Sequence, residues 1–588
     1  MEYPTLNVKQ KSRQMLDAFY GYNHNLRIGD SEFYDMNNMT SDYYPVIAPR
    51  KNRGVYSNST KVAGIIAKDN LCYVDGTEFV IGTDRVEMGL STNAADCPKN
   101  LISMGAYVII MPDRKYINTI KNGTEYDYGD IDATFTTTAD VKFQLCNLTG
   151  DSYDNATVSD TAPENPTNGQ VWIDTSSTPH TLKKYSSANE MWVSFATTYI
   201  KVISAGIGKN FEQYDGVKIS GITIDSLKSL NSAHALWGCD DDYIIITGIL
   251  DKVATQTVSQ GRITVSRKMP IMDFIVESNN RLWGCRYGKN DDGDVVNEIY
   301  ACKLGDFKNW NCFMNLSTDS YAVSCGSDGQ FTGAITHLGY PLFFKENNIH
   351  KVYGNYPANF QLQNTACRGV QRGSHRSLAI VNETLYYKSS SSVCAYDGSL
   401  PVEMSTALGD IRYSDAVAGA HGNKYYISMK SADGAYHLFV FDSSKGMWHK
   451  EDNLQTDGFC SYMNEMYAID HATKNIVTML GSGTQDTKKV KWMVETGLVG
   501  MNLPDMKYIS RLLLRMSLEV GSKVTISIQY NSIGDWEQVS QITASSLRSF
   551  AIPVRPRRCD HFRIRIDGEG QSRIYSVTKT IEQGSDVS

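Results

Sequence analysis

Apolar residues along this chain seldom recur at the i, i+3, i+4, i+7 spacing of a helix. Runs of four to eight residues rich in Ile, Val, Tyr, Phe and Thr, punctuated by Gly, Asn and Asp, take their place. The pattern predicts an all-β fold. Between about residues 230 and 480 the runs follow one phrase: a strand, an Asn or Gly turn, an aromatic strand, then a third strand ending near Asp or Gly. FIVESNNRLWGCR (274–286), TGAITHLGYPLFFKENNIHKVYG (332–354), RSLAIVNETLYYKSSSSVCAYDG (376–398), DAVAGAHGNKYYISM (415–429) and GFCSYMNEMYAID (458–470) are successive copies. A β-unit repeating about every 40 residues cannot bury both faces alone, so the copies should stack as blades of a large β-propeller. Asn280, Gly339, Asn382, Gly422 and Asn464 are then the turns joining the first two strands of a blade, where positive φ is needed. Trp448 in FDSSKGMW and Trp310 read as packing between neighbouring sheets.

Departures from the phrase set the boundaries. Residues 1–60 have almost no period and read as an extended arm that crosses or clasps a neighbour. The propeller begins in 61–145, where KVAGIIAKDNLCYVDGTEFV and KNLISMGAYVIIMPDRKYI are diverged copies. Residues 146–198 open Ser/Thr/Asn/Asp-rich and carry Trp172, Tyr185 and Trp192, which suggests an inserted loop and small β-module. The main propeller segment is expected over 199–490. In 495–588 strict alternation returns, with Phe562, Ile564 and Ile566 opposite Arg563 and Arg565, as in an antiparallel β-sandwich.

Composition narrows the functions. The 588 residues carry 57 Lys and Arg against 64 Asp and Glu, a formal charge of -7, which disfavours coating nucleic acid or an anionic membrane by bulk charge. No apolar run is long enough for a membrane span, and the N-terminus lacks the apolar core of a secretion signal, so synthesis in a cytoplasm is expected. The 12 Cys stand singly without a C-x-x-C pair, which excludes a zinc ribbon and a disulfide framework.

A search for chemistry finds no H-E-x-x-H, G-x-S-x-G or phosphate loop. The acidic run NDDGD (290–294) lacks the order and distal Glu of a calcium loop and reads as a hairpin tip. The repeated S-x-D-x-G-x-x-W boxes of sialidases are absent, leaving a glycosidase dependent on two carboxylates that meet only in space. The expectation is no enzyme, no catalytic residue, no cofactor and no metal. Residues 501–588 hold 12 Lys and Arg against 9 Asp and Glu, and these arginines suit carboxylates of a neighbouring subunit better than DNA. The predicted interface residues are Tyr43, Tyr44, Arg50 and Arg53 in the arm, Trp172 and Trp192 in the module, and Arg555, Arg557 and Arg558 near the C-terminus.

The phrases NMTSDYYPVIAPRKNRG, ESNNRLWGC, GSDGQFTGAITHLGYPLFFKENNIHKVYG, QRGSHRSLAIVNETLYYKSSSSVCAYDG and VRPRRCDHFRIRIDGEG resemble the tail nozzle, or packaged-DNA stabilisation, proteins of tailed bacteriophages. The PENPTNGQVWIDT module is similar to inserts of phage tail proteins that decorate the surface or dock fibres. The resemblance implies a structural protein of the virion tail: a homo-oligomeric ring, a hexamer, below the portal and its adaptor proteins, contacting tail fibre or spike proteins. Genomic DNA would be its transient, non-specific cargo, retained and then ejected through a neutral or acidic lumen to which it does not stick. A tail hub or fibre-attachment, receptor-binding protein of a longer tail is the alternative, and a propeller glycosidase the remaining one.

Overall fold

The computed structural model describes residues 11–485, 488–503 and 505–584. Residues 1–10 of the expected arm, 486–487 of the expected propeller segment, and 504 and 585–588 of the C-terminal region lie outside the described residues. The chain is all-β, 49% strand and 4% helix. Among the described residues, seven antiparallel sheets form a propeller: blades 1 to 7 span 62–87, 100–130, 274–324, 333–366, 379–403, 413–450 and 456–485. Their first strands lie side by side around the axis, and that of blade 7, Thr456–Tyr462, returns to that of blade 1, Val62–Ala67.

The sequence builds blades because alternate residues of the middle strands face opposite neighbours. In Tyr107–Met111 of blade 2, Val108 and Ile110 join a core with Val74 and Phe79 of blade 1, whereas Ile109 joins one with Leu282 and Trp310 of blade 3. Tyr340–Lys345 repeats the device, with Phe343 toward blade 3 and Phe344 toward blade 5. Strands buried on both faces cannot show an amphipathic stripe, which is why they read as continuous apolar runs. The first turns of blades 3 to 7 are the two-residue turns expected, with positive φ at Asn279, Asn280, Leu338, Gly339, Asn382, Glu383 and Gly422. In blade 7 the positive φ falls on Met463, one residue before the predicted Asn464.

Three boundaries differ from the sequence reading. The insertion is larger than 146–198: Ala133–Thr136 and Val141–Cys146 pair with strands between Tyr199 and Arg267, so a separate two-sheet body occupies 133–267 and the propeller resumes at Phe274. Its sheets share a core of Val141, Phe143, Ile200, Val202, Val217 and Val265. The small β-module over 157–194 projects from this body. Strands of the insert alternate like outer blade strands, so periodicity alone could not separate them. Asp215 clamps the insert onto blade 3: it takes the buried Arg267 guanidinium on one oxygen and the Asn309 amide on the other at 2.8 Å.

The arm also turns inward instead of reaching for a neighbour. Lys11–Leu16 pairs with Ser572–Gln583, and Phe33–Asn37 with Lys491–Thr496. Gly54–Val55 slots between Ile476–Thr478 and Thr484–Gln485 of blade 7, closing the ring with N-terminal chain. The C-terminal region, with these N-terminal strands, forms two antiparallel sheets whose inward residues Leu512, Leu514, Ile526, Ile564 and Ile566 share one buried cluster with residues of blades 5 and 6. Among the described residues, no helix is long and apolar enough to cross a membrane.

Candidate functional site: the axial mouth

A cavity of about 500 Å³ opens at one end of the propeller axis, walled by the segments that lead into the first strands of blades 2, 3, 5, 6 and 7. Asp96, Asp273, Asp415 and Asp457 line it, along with Phe274, Met272 and Tyr436. Two of these carboxylates stand where the innermost strands lose register. The ladder of blade 6 slips between Ser414 and Val417, with Asp415 at φ 47°, and that of blade 7 slips between Thr456 and Gly458, at Asp457. A β-bulge re-aims a side chain that regular pairing would hold along the sheet, and bulges cluster at such rims.

The carboxylates differ in their commitments. Asp457 accepts hydrogen bonds from His471 Nδ1 at 2.6 Å and Lys474 Nζ at 2.5 Å. Burial opposes its charge, but those two partners prevail and hold its carboxyl below the usual range. Asp273 pairs with Arg286 at 2.7 Å and accepts the Tyr287 N–H at 2.8 Å. Asp96 accepts the Ser91 hydroxyl, which lowers its pKa. Asp415 is exposed, with Lys430 3.9 Å away.

Arg376 closes the axis beneath the mouth. It leaves the connector between blades 4 and 5 and donates to the Asp457 carbonyl of blade 7 at 3.0 Å and the Pro98 carbonyl ahead of blade 2 at 2.6 Å. The same connector is pinned by Ser374, whose hydroxyl accepts the Ala416 N–H at 3.1 Å, and by Tyr425, which donates to the Ser377 carbonyl at 2.8 Å. A second axial cavity, about 410 Å³, lies on the far side and shares Asn100, Phe274, Ile275, His375 and Arg376 with the first. The His375 ring keeps an open face to the channel and lies 5.3 Å from the Phe274 ring. Crowding by the channel wall, then the Arg376 charge, lowers its pKa.

None of the nine predicted interface residues stands at this mouth. Arg50 and Arg53 are turned into their own chain: Arg53 forks onto Asp452 at 2.5 and 2.9 Å and reaches Glu451 at 3.1 Å, while Arg50 meets Asp452 at 3.1 Å. Tyr43 lies under the Arg573 guanidinium at 4.5 Å, and Tyr44 stays exposed with its ring 6.3 Å from Tyr20. Trp172 is buried inside the module, edge-on to Trp192 at 5.3 Å, and donates its indole N–H to the Ser159 carbonyl. Arg555, Arg557 and Arg558 are exposed, with Arg557 paired to Glu537 at 2.5 Å. Sequence reasoning missed Asp415, Asp457 and Arg376. Asp415 and Asp457 come from different blades, and Arg376 sits in a loop, SHRS, that carries no motif. Among the described residues, no group of three or more His, Cys, Asp or Glu is placed to hold a metal ion, and NDDGD is a hairpin tip in which Asp292 meets Lys218 at 2.5 Å.

No protein family and no curated protein matches the chain. Among solved structures it is similar to an exo-β-1,3-galactanase from Phanerochaete chrysosporium, 8% identical, covering 52% of this chain and 94% of that one at a TM-score of 0.22. It is also similar to a Trypanosoma rangeli sialidase, 8% identical over 97% and 95% of the two chains at a TM-score of 0.21, and to a mutant of that sialidase with trans-sialidase activity, 7% identical over 90% and 95% at 0.20. These scores carry no argument about substrate or mechanism. The expectations of a virion nozzle or tail hub and of a chain without enzymatic activity find no support among these structures, all three of which are named as enzymes, and neither expectation is carried further.

Proposed function

We propose that the axial mouth binds the hydroxyl-rich end of a glycan. The observation that carries this reading is the pair of bulges that turn Asp415 and Asp457 from two blades toward one cavity. A cavity of about 500 Å³ is within the range of small-molecule sites. Carboxylate oxygens accept hydrogen bonds from neighbouring hydroxyls, while Phe274 and Tyr436 offer apolar area to the C–H face of a sugar ring. Asp273 and Asp457 already hold Arg286, His471 and Lys474, so their remaining lone pairs suit neutral hydroxyls rather than a cation. A larger cavity of about 650 Å³ lies between the arm and blades 6 and 7, where Asp442 is held by Ser41 and Lys445 and Glu465 by the Leu480 and Ser482 N–H groups.

Saturation-transfer NMR against a panel of neutral oligosaccharides tests the reading. At least one sugar should bind, and Asp415→Asn, which tolerates the positive φ, should weaken it about tenfold, the loss of one charged hydrogen-bonding group. Absence of any bound sugar, or equal binding by the variant, defeats the proposal. Reducing-end assays on the sugars that bind show whether the site also hydrolyses them.

A further inference from the structure

A cavity of about 250 Å³ lies where blade 5 meets blade 6 and the arm; Lys388 is among its lining residues, none of which lines the axial mouth. Lys388 ends the strand Thr384–Lys388 and is 3% exposed. Its ammonium donates to the Ser389 carbonyl at 2.5 Å, and among the described residues no carboxylate pairs with it. Lys507, 1% exposed, is as sparsely paired, with the Asp560 carbonyl as its acceptor, whereas three further buried lysines have a carboxylate or more acceptors. Lys99 meets Asp113 at 2.6 Å, Lys579 meets Asp30 at 3.0 Å, and Lys345 has two acceptors and two aromatic rings. A buried ammonium with one acceptor, on a residue that lines a cavity, is costly as a structural device, and the same environment favours the neutral, nucleophilic amine.

We propose that Lys388 is a reactive amine whose cavity admits a small aldehyde or ketone and holds it as an imine. The neutral Nζ attacks the carbonyl carbon, a C=N bond replaces C=O, and the oxygen departs as water with the two nitrogen protons; nothing is oxidised or reduced. Ser405 lines the cavity and its hydroxyl accepts the Val393 N–H at 2.9 Å, which leaves its own proton for the carbonyl oxygen. The titratable and charged groups around Lys388 are the Cys394 thiol, Asp410, Tyr413, and Glu403 with its partner Arg368. Burial pushes the ammonium down to about 8, so about a tenth is neutral at pH 7, against less than about a thousandth for an exposed lysine.

The test is reductive alkylation of the intact protein with limiting propionaldehyde and cyanoborohydride, mapped by peptide mass spectrometry. Lys388 should be alkylated about tenfold or more faster than the exposed Lys209, Lys252 and Lys289, with a rate that rises through a midpoint near pH 8. The preference should vanish in denaturing guanidinium. Labelling of Lys388 no faster than the exposed lysines, or a preference that survives unfolding, overturns the proposal.

Discussion

Two charged regions border blades 6 and 7, and they are built to opposite ends. Where the arm crosses blade 6, Arg50 and Arg53 meet Glu451 and Asp452, with side chains between 6% and 24% exposed and nearly every charge answered by its opposite. At the axial mouth, Asp415 is exposed and Asp457 keeps one side toward a cavity. A charge taken wholly out of water must be fixed to a partner, so the first region specifies how the arm docks. A charge left at the rim of a cavity keeps unused lone pairs, so the second is available to a ligand. Sequence alone favours the arginines of the first region as interface residues, since nothing in it distinguishes a buried partner on the same chain from one on another.

The difference predicts where mutations hurt. Arg53→Met should be the most damaging, because it leaves the buried Glu451, whose pKa burial already raises despite both arginines, with only Arg50 at 3.7 Å. Removing one partner of a buried ion pair costs about 3–5 kcal/mol, read as a shift in the urea midpoint at constant slope. A wild-type midpoint would show the arm docked by its strands alone.

His449 sharpens the same region. It lies in the outer strand of blade 6, 2% exposed, with no hydrogen bond to either ring nitrogen, and burial, reinforced by Lys424, pushes its pKa down to about 3. Below about pH 6.5 the unfolded chain takes up a proton that the folded chain refuses, so stability falls as pH drops from 6.5 toward 3. Between pH 6.5 and 4.5 the loss should be roughly 2–3 kcal/mol. His449→Phe should abolish that part of the pH dependence and match or exceed wild type at pH 7, as urea unfolding at several pH values would show. Equal slopes in the two proteins would mean that the imidazole reaches water.

Much of the propeller is legible in the sequence because its signals are local. The pair Asn279–Asn280 can only be a tight turn, and YVIIM at 107–111 is apolar on both faces because both faces meet a blade. The site is not legible, for the same reason. Asp415 sits in DAVAG and Asp457 in TDGFC, each an unremarkable strand start, and a bulge shows itself only once the partner strand fixes the register. Arg376 matters because its loop crosses to Pro98, 278 residues away, a closure that no window of sequence contains. The insert was underestimated because Val141–Cys146 and Tyr199–Ile203 look like blade strands and differ from them only in pairing with each other.

At the mouth the expected pattern reverses: binding should respond more than stability. Asp457→Asn removes the charge that His471 and Lys474 hold, while the backbone carbonyl that receives Arg376 remains. Sugar affinity should fall about tenfold, and stability at pH 7 by roughly 1 kcal/mol. Because the native carboxyl is held below its ordinary range, its contribution is present at neutral pH and is lost as pH falls through the folded pKa, so variant and wild type should converge in acid.

The smallest effect should come from Arg557→Ala. Arg557 and Glu537 approach to 2.5 Å, closer than most of the pairs Arg50 and Arg53 make with Glu451 and Asp452, yet their side chains are 60% and 54% exposed. In water the attraction is screened, the arginine loses side-chain freedom to hold the contact, and neither charge is stranded when the other goes. The variant should unfold within about 0.5 kcal/mol of wild type. It should also bind sugar unchanged, since Arg557 lies outside the residues lining the axial cavity. A loss as large as that of Arg53→Met would mean that distance, not burial, ranks the ion pairs of this protein. That outcome would collapse the distinction between the buried arm contacts and the mouth, and with it the reason for reading the mouth, rather than the arm contacts, as a binding site.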